Sequence, residues 1–234
     1  MDNGSALDRE DLLHLMSLKE VLDAFVHEIR QPLNVIMLAC QVIRLRMEQT
    51  PLAEDVSGFL IQRSDLIASQ VRRATETVKS VSTFSRPSGS DEAQADVAAV
   101  FRKVNNLMGQ QFSSREIQLR WDFGHGPLLV AVPSHIVEAV IIQSLAFARD
   151  TVQAIGAWHR GQDFSYLQSV TATLVNEGGE AGLRLGWNAG QLSNGAFLID
   201  PRTHPGLLVT SSVLSNWGGD LSAATDSLSV TFSG

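Results

Sequence analysis

Two long runs of apolar residues at helical bundle spacing, interrupted once, constrain the first third of this chain more than any other feature. Leu15, Leu18, Leu22, Phe25, Ile29, Ile36, Ala39 and Ile43 step by threes and fours, with Pro32 in the one missing slot. That is the seam of a helix packed lengthwise in a bundle or coiled coil. A second seam runs through Leu60, Ser64, Ile67, Val71, Ala74, Val78 and Val81. Gln49-Thr50-Pro51 separates the two, and a proline ends or restarts a helix. Two such helices joined by a short turn make an antiparallel hairpin. One hairpin leaves apolar surface uncovered, so the expectation is a homodimer whose two hairpins form a four-helix bundle.

The periodicity stops at Arg86-Pro87-Ser88-Gly89-Ser90-Asp91-Glu92, which has the proline, glycine, serine and charge of a linker. Two domains are therefore expected, a helical hairpin over 8–86 and a mixed domain over 95–234. In the second, residues 97–110 read as helix, Ile117 to Phe123 as strand and Pro133 to Ile155 as a helix opened by proline. Strands follow at Ser169 to Val175 and Leu183 to Trp187. A helix at Leu207 to Asn216, with strands near Leu221 and at Ser227 to Phe232, completes the pattern. The fold class expected is an α+β two-layer sandwich behind the hairpin.

Composition narrows the function classes. A net charge of −7 argues against nucleic acid as a partner, since such proteins carry a basic stripe. One cysteine, Cys40, permits no internal disulfide and fits a reducing, cytoplasmic setting; its place beside the first seam predicts a buried, inert thiol. No apolar run is long enough to span a bilayer, and the first residues lack the apolar core of a signal peptide. No membrane association is expected, and any signal is expected to arrive through another protein. His14, His125, His135, His159 and His204 have no metal-ligand spacing, so no metal site is expected. The four tryptophans read as core and rim packing.

Within the first seam stands Phe25-Val26-His27-Glu28-Ile29-Arg30-Gln31-Pro32-Leu33-Asn34. His27 falls off the apolar stripe, which predicts a solvent-facing ring. Arg30 and Gln31, three and four residues on, share its face, and Asn34 follows two turns away. An imidazole is a competent nucleophile when one nitrogen is free and an acceptor holds the other; Glu28 is the nearest candidate acceptor. Phosphoryl transfer needs positioning and charge neutralisation more than elaborate covalent chemistry, and a His, Arg, Gln, Asn face supplies both. Pro32 removes one backbone hydrogen bond at a cost of about 3 kcal/mol in a helix interior.

The string is similar to the phosphoacceptor box of two-component histidine kinases, in the form that carries Gln-Pro-Leu after the histidine. Arg72-Arg73-Ala74 through Val81-Ser82-Thr83-Phe84-Ser85-Arg86 resembles the end of that subfamily's second helix. The resemblance implies that His27 is the phosphoacceptor, Glu28 the general base and Gln31 a residue that orients water in phosphatase reactions. Arg30 is a candidate phosphate contact.

The second half resembles the kinase ATP-binding domain in outline. Gly206-Leu207 through Val213-Leu214, then Asn216-Trp217-Gly218-Gly219-Asp220-Leu221, looks like its glycine-rich helix start and the Gly-Gly turn into the last strands. The family's Gly-Leu-Gly-Leu stands here as His204-Pro205-Gly206-Leu207, and close wrapping of phosphates needs glycine. Ile142 to Ile155 resembles the helix that supplies the magnesium-binding asparagine, whose positions here are Ala146 and Asp150; no asparagine lies between Asn106 and Asn176. The adenine-binding Asp-x-Gly-x-Gly box would fall near Gly186-Trp187-Asn188-Ala189-Gly190, yet no aspartate lies between Asp163 and Asp200. Asp200-Pro201-Arg202 does not continue with the glycines.

These readings converge on a kinase-like, dimeric histidine phosphotransferase with no ATP or other cofactor of its own. His27 would accept phosphate from the aspartate of one response-regulator receiver domain and pass it to another, the receiver bringing the magnesium. Three alternatives stand beside it: a response-regulator phosphatase working through Gln31, a non-catalytic pseudokinase scaffold, and a divergent ATP-dependent kinase in which Asp150 replaces the asparagine.

Overall fold

The computed structural model describes residues 3–49, 55–84, 94–123, 126–162, 165–177, 180–190 and 198–233. Two long helices come first, α1 (Asn3–Gln49) and α2 (Asp55–Phe84). They are followed by β1 (Ala95–Asp96), α3 (Val97–Ser113), β2 (Gln118–Trp121), β3 (Leu129–Val130) and α4 (Ser134–Arg160). The chain closes with β4 (Ser169–Glu177), β5 (Glu180–Trp187), α5 (Pro205–Asn216), β6 (Asp220–Ala224) and β7 (Ser227–Ser233). It divides into two compact units, Leu22–Arg86 and a second made of Met1–Val21 with Pro87–Gly234. The start of α1, expected within the hairpin domain, thus belongs with the second half of the chain. No helix among the described residues is long and apolar enough to cross a membrane.

In the Leu22–Arg86 unit the seam holds from Phe25 to Ile43. Pro32 and Ala39 are buried, and Phe25, Ile29, Ile36 and Ile43 are half-buried on the same stripe. The carboxyl of Glu28 lies within reach of Arg73 and Thr77 of α2. Those residues stand at about equal chain distances from the break at residues 50–54, as an antiparallel hairpin requires. The expected α2 seam divides between two faces. Leu60, Ile67 and Ala74 are half-buried, whereas Ser64, Val71 and Val78 are exposed. A seven-residue repeat carries both sets, and apolar spacing alone does not say that each serves a different neighbour. Val26, Leu33, Met37 and Ile61 are also more than half exposed. Cys40 is exposed, contrary to the buried thiol expected; it falls on the outward stripe three residues after Met37.

The second unit has an α+β core. Its five-stranded sheet runs β2-β4-β5-β7-β6, with β2 parallel to β4 and the other neighbours antiparallel. Val170, Ala172, Leu183, Leu185, Leu228, Val230 and Phe232 alternate onto one buried face, the period-two pattern of a sheet covered on one side. Against this face lies α4, buried almost all round from Ile136 to Ala148, as a helix apolar on every side must be. The two-residue strands β1 and β3, not foreseen, pair Ala95 with Val130. Asp96 ties them to α3: its carboxylate caps the helix by accepting from Ala98 N (3.0 Å) and also accepts from Leu128 N (3.1 Å). The remaining expected elements appear within a few residues of their predicted ends.

Candidate functional site

The sequence singles out two places, and each is described within its own unit. The first is the His27 turn of α1. His27 lies inside the helix, and its side chain falls outside the described set. Arg30 and Asn34 are exposed, Gln31 is half-buried and Pro32 is buried. Glu28 is half-buried, and burial pushes its carboxyl above the ordinary value while Arg73 and the Thr77 side chain pull it down. A carboxylate raised in this way is a better proton acceptor near neutrality than a free one. Thr77 itself is anchored to α2, its hydroxyl donating to the Arg73 carbonyl at 3.1 Å. The structure therefore brings Glu28 together with Arg73 and Thr77, a pairing the sequence did not announce.

The second place is the junction of α4, α5 and the loop after β5. Ala146 is buried. Asp150 accepts from Arg149 Nε at 2.7 Å. Arg149 also reaches Glu20 Oε2 at 3.1 Å and bonds the Gln111 side-chain oxygen. Burial works against the guanidinium charge, but the Asp150 and Glu20 carboxylates outweigh it and hold the Arg149 pKa above its ordinary value. His204, at the position of a family glycine, caps α5: Leu207 N donates to its Nδ1 at 3.3 Å, and Pro205 follows at the first helical position. The His204 ring meets Phe147 edge-on at 5.2 Å, and burial lowers its pKa. A Cβ added at Gly206 would overlap the Gln143 amide. The space beside that glycine is taken by the Gln143 side chain.

The loop after β5 is also tightly packed. Gly190 N donates to the Asn188 side-chain oxygen at 2.8 Å, and Gly190 has φ 64°, a conformation that favours glycine. His159 covers it so closely that a Cβ there would overlap the ring. His159 in turn stacks on Tyr166 with centroids 4.8 Å apart. Burial pushes the Tyr166 hydroxyl up to about 12, and it donates to the Asn188 carbonyl. Among the described residues no group of three or more His, Cys, Asp or Glu side chains is arranged to hold a metal ion.

Glu20, Gln111, Gln143 and Arg149 escaped the sequence reading because they are polar and leave no trace in an apolar period. The available signal was Gln143 and Arg149 flanking the apolar run of α4, since buried polar side chains in such a helix require partners.

Comparison with known proteins bears on what this architecture belongs to. No protein-family model matches the chain. Over 138 residues, 59% of this chain, it is 30% identical to the two-component sensor PprA of Pseudomonas aeruginosa. Over that stretch the chain is similar to a two-component sensor. It spans only 15% of the length of PprA. Among solved structures, the Acinetobacter baumannii histidine kinase AdeS aligns over 88% of this chain and 97% of its own, with 14% identity and a TM-score of 0.41. A histidine kinase from Burkholderia phymatum aligns over 98% and 97% respectively, with 13% identity and a TM-score of 0.42.

Proposed function

We propose that this protein is a cytoplasmic, homodimeric histidine phosphotransferase that relays phosphoryl groups between receiver domains without binding ATP. A receiver's aspartyl phosphate is the donor. The neutral His27 imidazole attacks phosphorus, a phosphorus–nitrogen bond forms, and the phosphorus–oxygen bond breaks to return the receiver's carboxylate. The imidazole proton passes to Glu28, and the reverse sequence delivers the phosphoryl group to a second receiver. The magnesium that neutralises the phosphate belongs to the receiver, with Arg30 adding positive charge on this side. Gln31, one turn beyond His27, is the group that would orient water if hydrolysis competes with transfer.

The observation that carries the ATP-free part is the Arg149 cluster. Asp150, the one oxygen donor left where the family supplies asparagine, is committed to Arg149, and Gln143 fills the space beside Gly206. The raised Glu28 carboxyl supports its role as proton acceptor. The dimer is supported by Val26, Leu33 and Met37 on α1 and Ile61, Val71 and Val78 on α2, all large apolar side chains left exposed in a single chain.

Purified protein incubated with labelled ATP alone, and then with a labelled phospho-receiver, tests the proposal. Label on the wild type only with the phospho-receiver, and none on His27→Ala under either condition, is the expected result. Label from ATP alone would replace this reading with that of a divergent kinase. Receiver dephosphorylation that survives His27→Ala but not Gln31→Ala would replace it with the phosphatase.

A further inference from the structure

The α+β domain holds a helix that its sheet does not explain. Leu13, Ser17 and Val21 of α1 are wholly buried, one below the other at four-residue steps. Leu12, Leu15 and Leu22, more apolar as a set, are exposed. A helix docking only to hide hydrocarbon would have turned the leucines inward. Its orientation is set by polar matches instead. Ser17 Oγ donates to the Ala139 carbonyl and accepts from Gln143 Nε2, each at 3.3 Å. Glu20 pairs with Arg149, and its backbone carbonyl accepts from Gln111 Nε2 at 3.0 Å. At the other end, Trp217 Nε1 donates to Glu10 Oε1 at 3.2 Å, and Arg9 donates to Ser212 Oγ at 2.8 Å.

Two of these contacts engage the side chains packed beside Gly206 and Asp150. Gln143, which occupies the space beside Gly206, is held by Ser17. Arg149, which occupies Asp150, is held by Glu20. We propose that the α4/α5 face is an intramolecular docking site for a helix, and that residues 9–21 of α1 are its resident ligand, taking the place nucleotide takes in ATP-using relatives. The inference rests on the ATP-free reading for the second clause only; the docking stands on its own contacts. It gives the degenerate domain a task, which is to grip the beginning of the helix that carries His27. Glu20 and Ser17 specify the occupant, and Arg149 and Gln143 read it.

Amide hydrogen exchange on the full chain tests this, comparing wild type, Glu20→Arg, Arg149→Glu and the double charge swap. Each single change is expected to speed exchange of residues 9–21 at least tenfold, and the swap to return it to within about threefold of wild type. Protected β4 and β5 amides serve as the sign that the core is folded. If Arg149→Glu unfolds that core, Ser17→Met, which alters only the docked helix, must produce the same local loss. Residues 9–21 exchanging at the free rate in wild type, or a swap that fails to rescue, overturns the docking. Protection that disappears on dilution would assign the occupant to a second copy and overturn the intramolecular form.

Adding magnesium-ATP separates the two clauses. Binding by Ser17→Met but not by wild type supports the docked helix as occupant and overturns the ATP-free reading of the bare domain. Binding by wild type with residues 9–21 still protected overturns the claim that they sit in the nucleotide's place. No binding by either protein, with residues 9–21 of Ser17→Met exchanging freely, overturns the second clause and leaves the ATP-free reading standing.

Discussion

Phe147 of α4 and Met37 of α1 are both large apolar side chains on long helices. The first is wholly buried and the second is 56% exposed. The contrast extends to the units around them. In the α+β domain the sheet, α3 and α4 enclose a core in which Phe101, Phe112, Phe147 and Phe232 are nearly inaccessible. In the hairpin, only Pro32 and Ala39 among the described side chains are buried, and a row of valines, leucines and isoleucines faces outward. A domain that has closed its own core spends its polar residues on fine fitting, as Arg149 and Gln143 show. A hairpin that has not closed its core leaves apolar surface in contact with water, which is costly, and this is what the proposed dimer would relieve.

Substitutions in each unit test this contrast. Phe147→Ala should destabilise the α+β domain by about 3–5 kcal/mol, independently of protein concentration, in calorimetric or denaturant unfolding. A loss below 1 kcal/mol would mean that this core is not closed. Gly206→Ala should cost about 1–3 kcal/mol, because its new methyl group must displace Gln143 from Ser17; the double variant Gly206→Ala with Gln143→Ala should recover much of it. Met37→Asp should leave the α+β domain's melting unchanged and weaken self-association at least tenfold, or about 1.4 kcal/mol, by sedimentation. An unaltered dimer would move the interface off this stripe.

The smallest effect concerns pH. Because burial holds the Glu28 pKa above its unfolded value, the folded hairpin binds more protons than the unfolded one. Its stability should therefore fall as pH rises from the unfolded value through the folded one. Glu28→Gln should flatten that part of the pH–stability curve and modestly stabilise the hairpin at neutral pH. A curve of unchanged shape would exclude Glu28 as the titrating group.

The hairpin's inner seam was legible from Phe25 to Ile43, since one partner helix imposes one period along that stretch. It failed at Leu15, where α1 packs within the α+β unit and buries the Leu13, Ser17 and Val21 stripe instead, and at Leu22, which is exposed. It failed again on α2, where Val71 and Val78 belong to an outward face, and at Cys40 for the same reason. The elements of the α+β domain were readable because its strands alternate and α4 is rich in apolar residues over most of its length. β1 and β3 were not, being two residues each and fixed by Asp96 instead of by pattern. At the candidate site, the altered positions His204 and Asp150 could be named in advance. Their new tasks, as a helix cap and an arginine partner, needed coordinates, because both depend on residues distant in the chain.

Pro32 has a further mechanical consequence. Having no N–H, it leaves the Glu28 carbonyl without its usual intrahelical donor. Along a helix of 47 residues, about 70 Å at 1.5 Å per residue, this is the missing rung of an otherwise regular ladder. A rod bends at its missing rung at lower cost than elsewhere. In this chain that joint lies five residues beyond the histidine. The turn that carries His27 therefore keeps its own rungs, and any bending falls just after it.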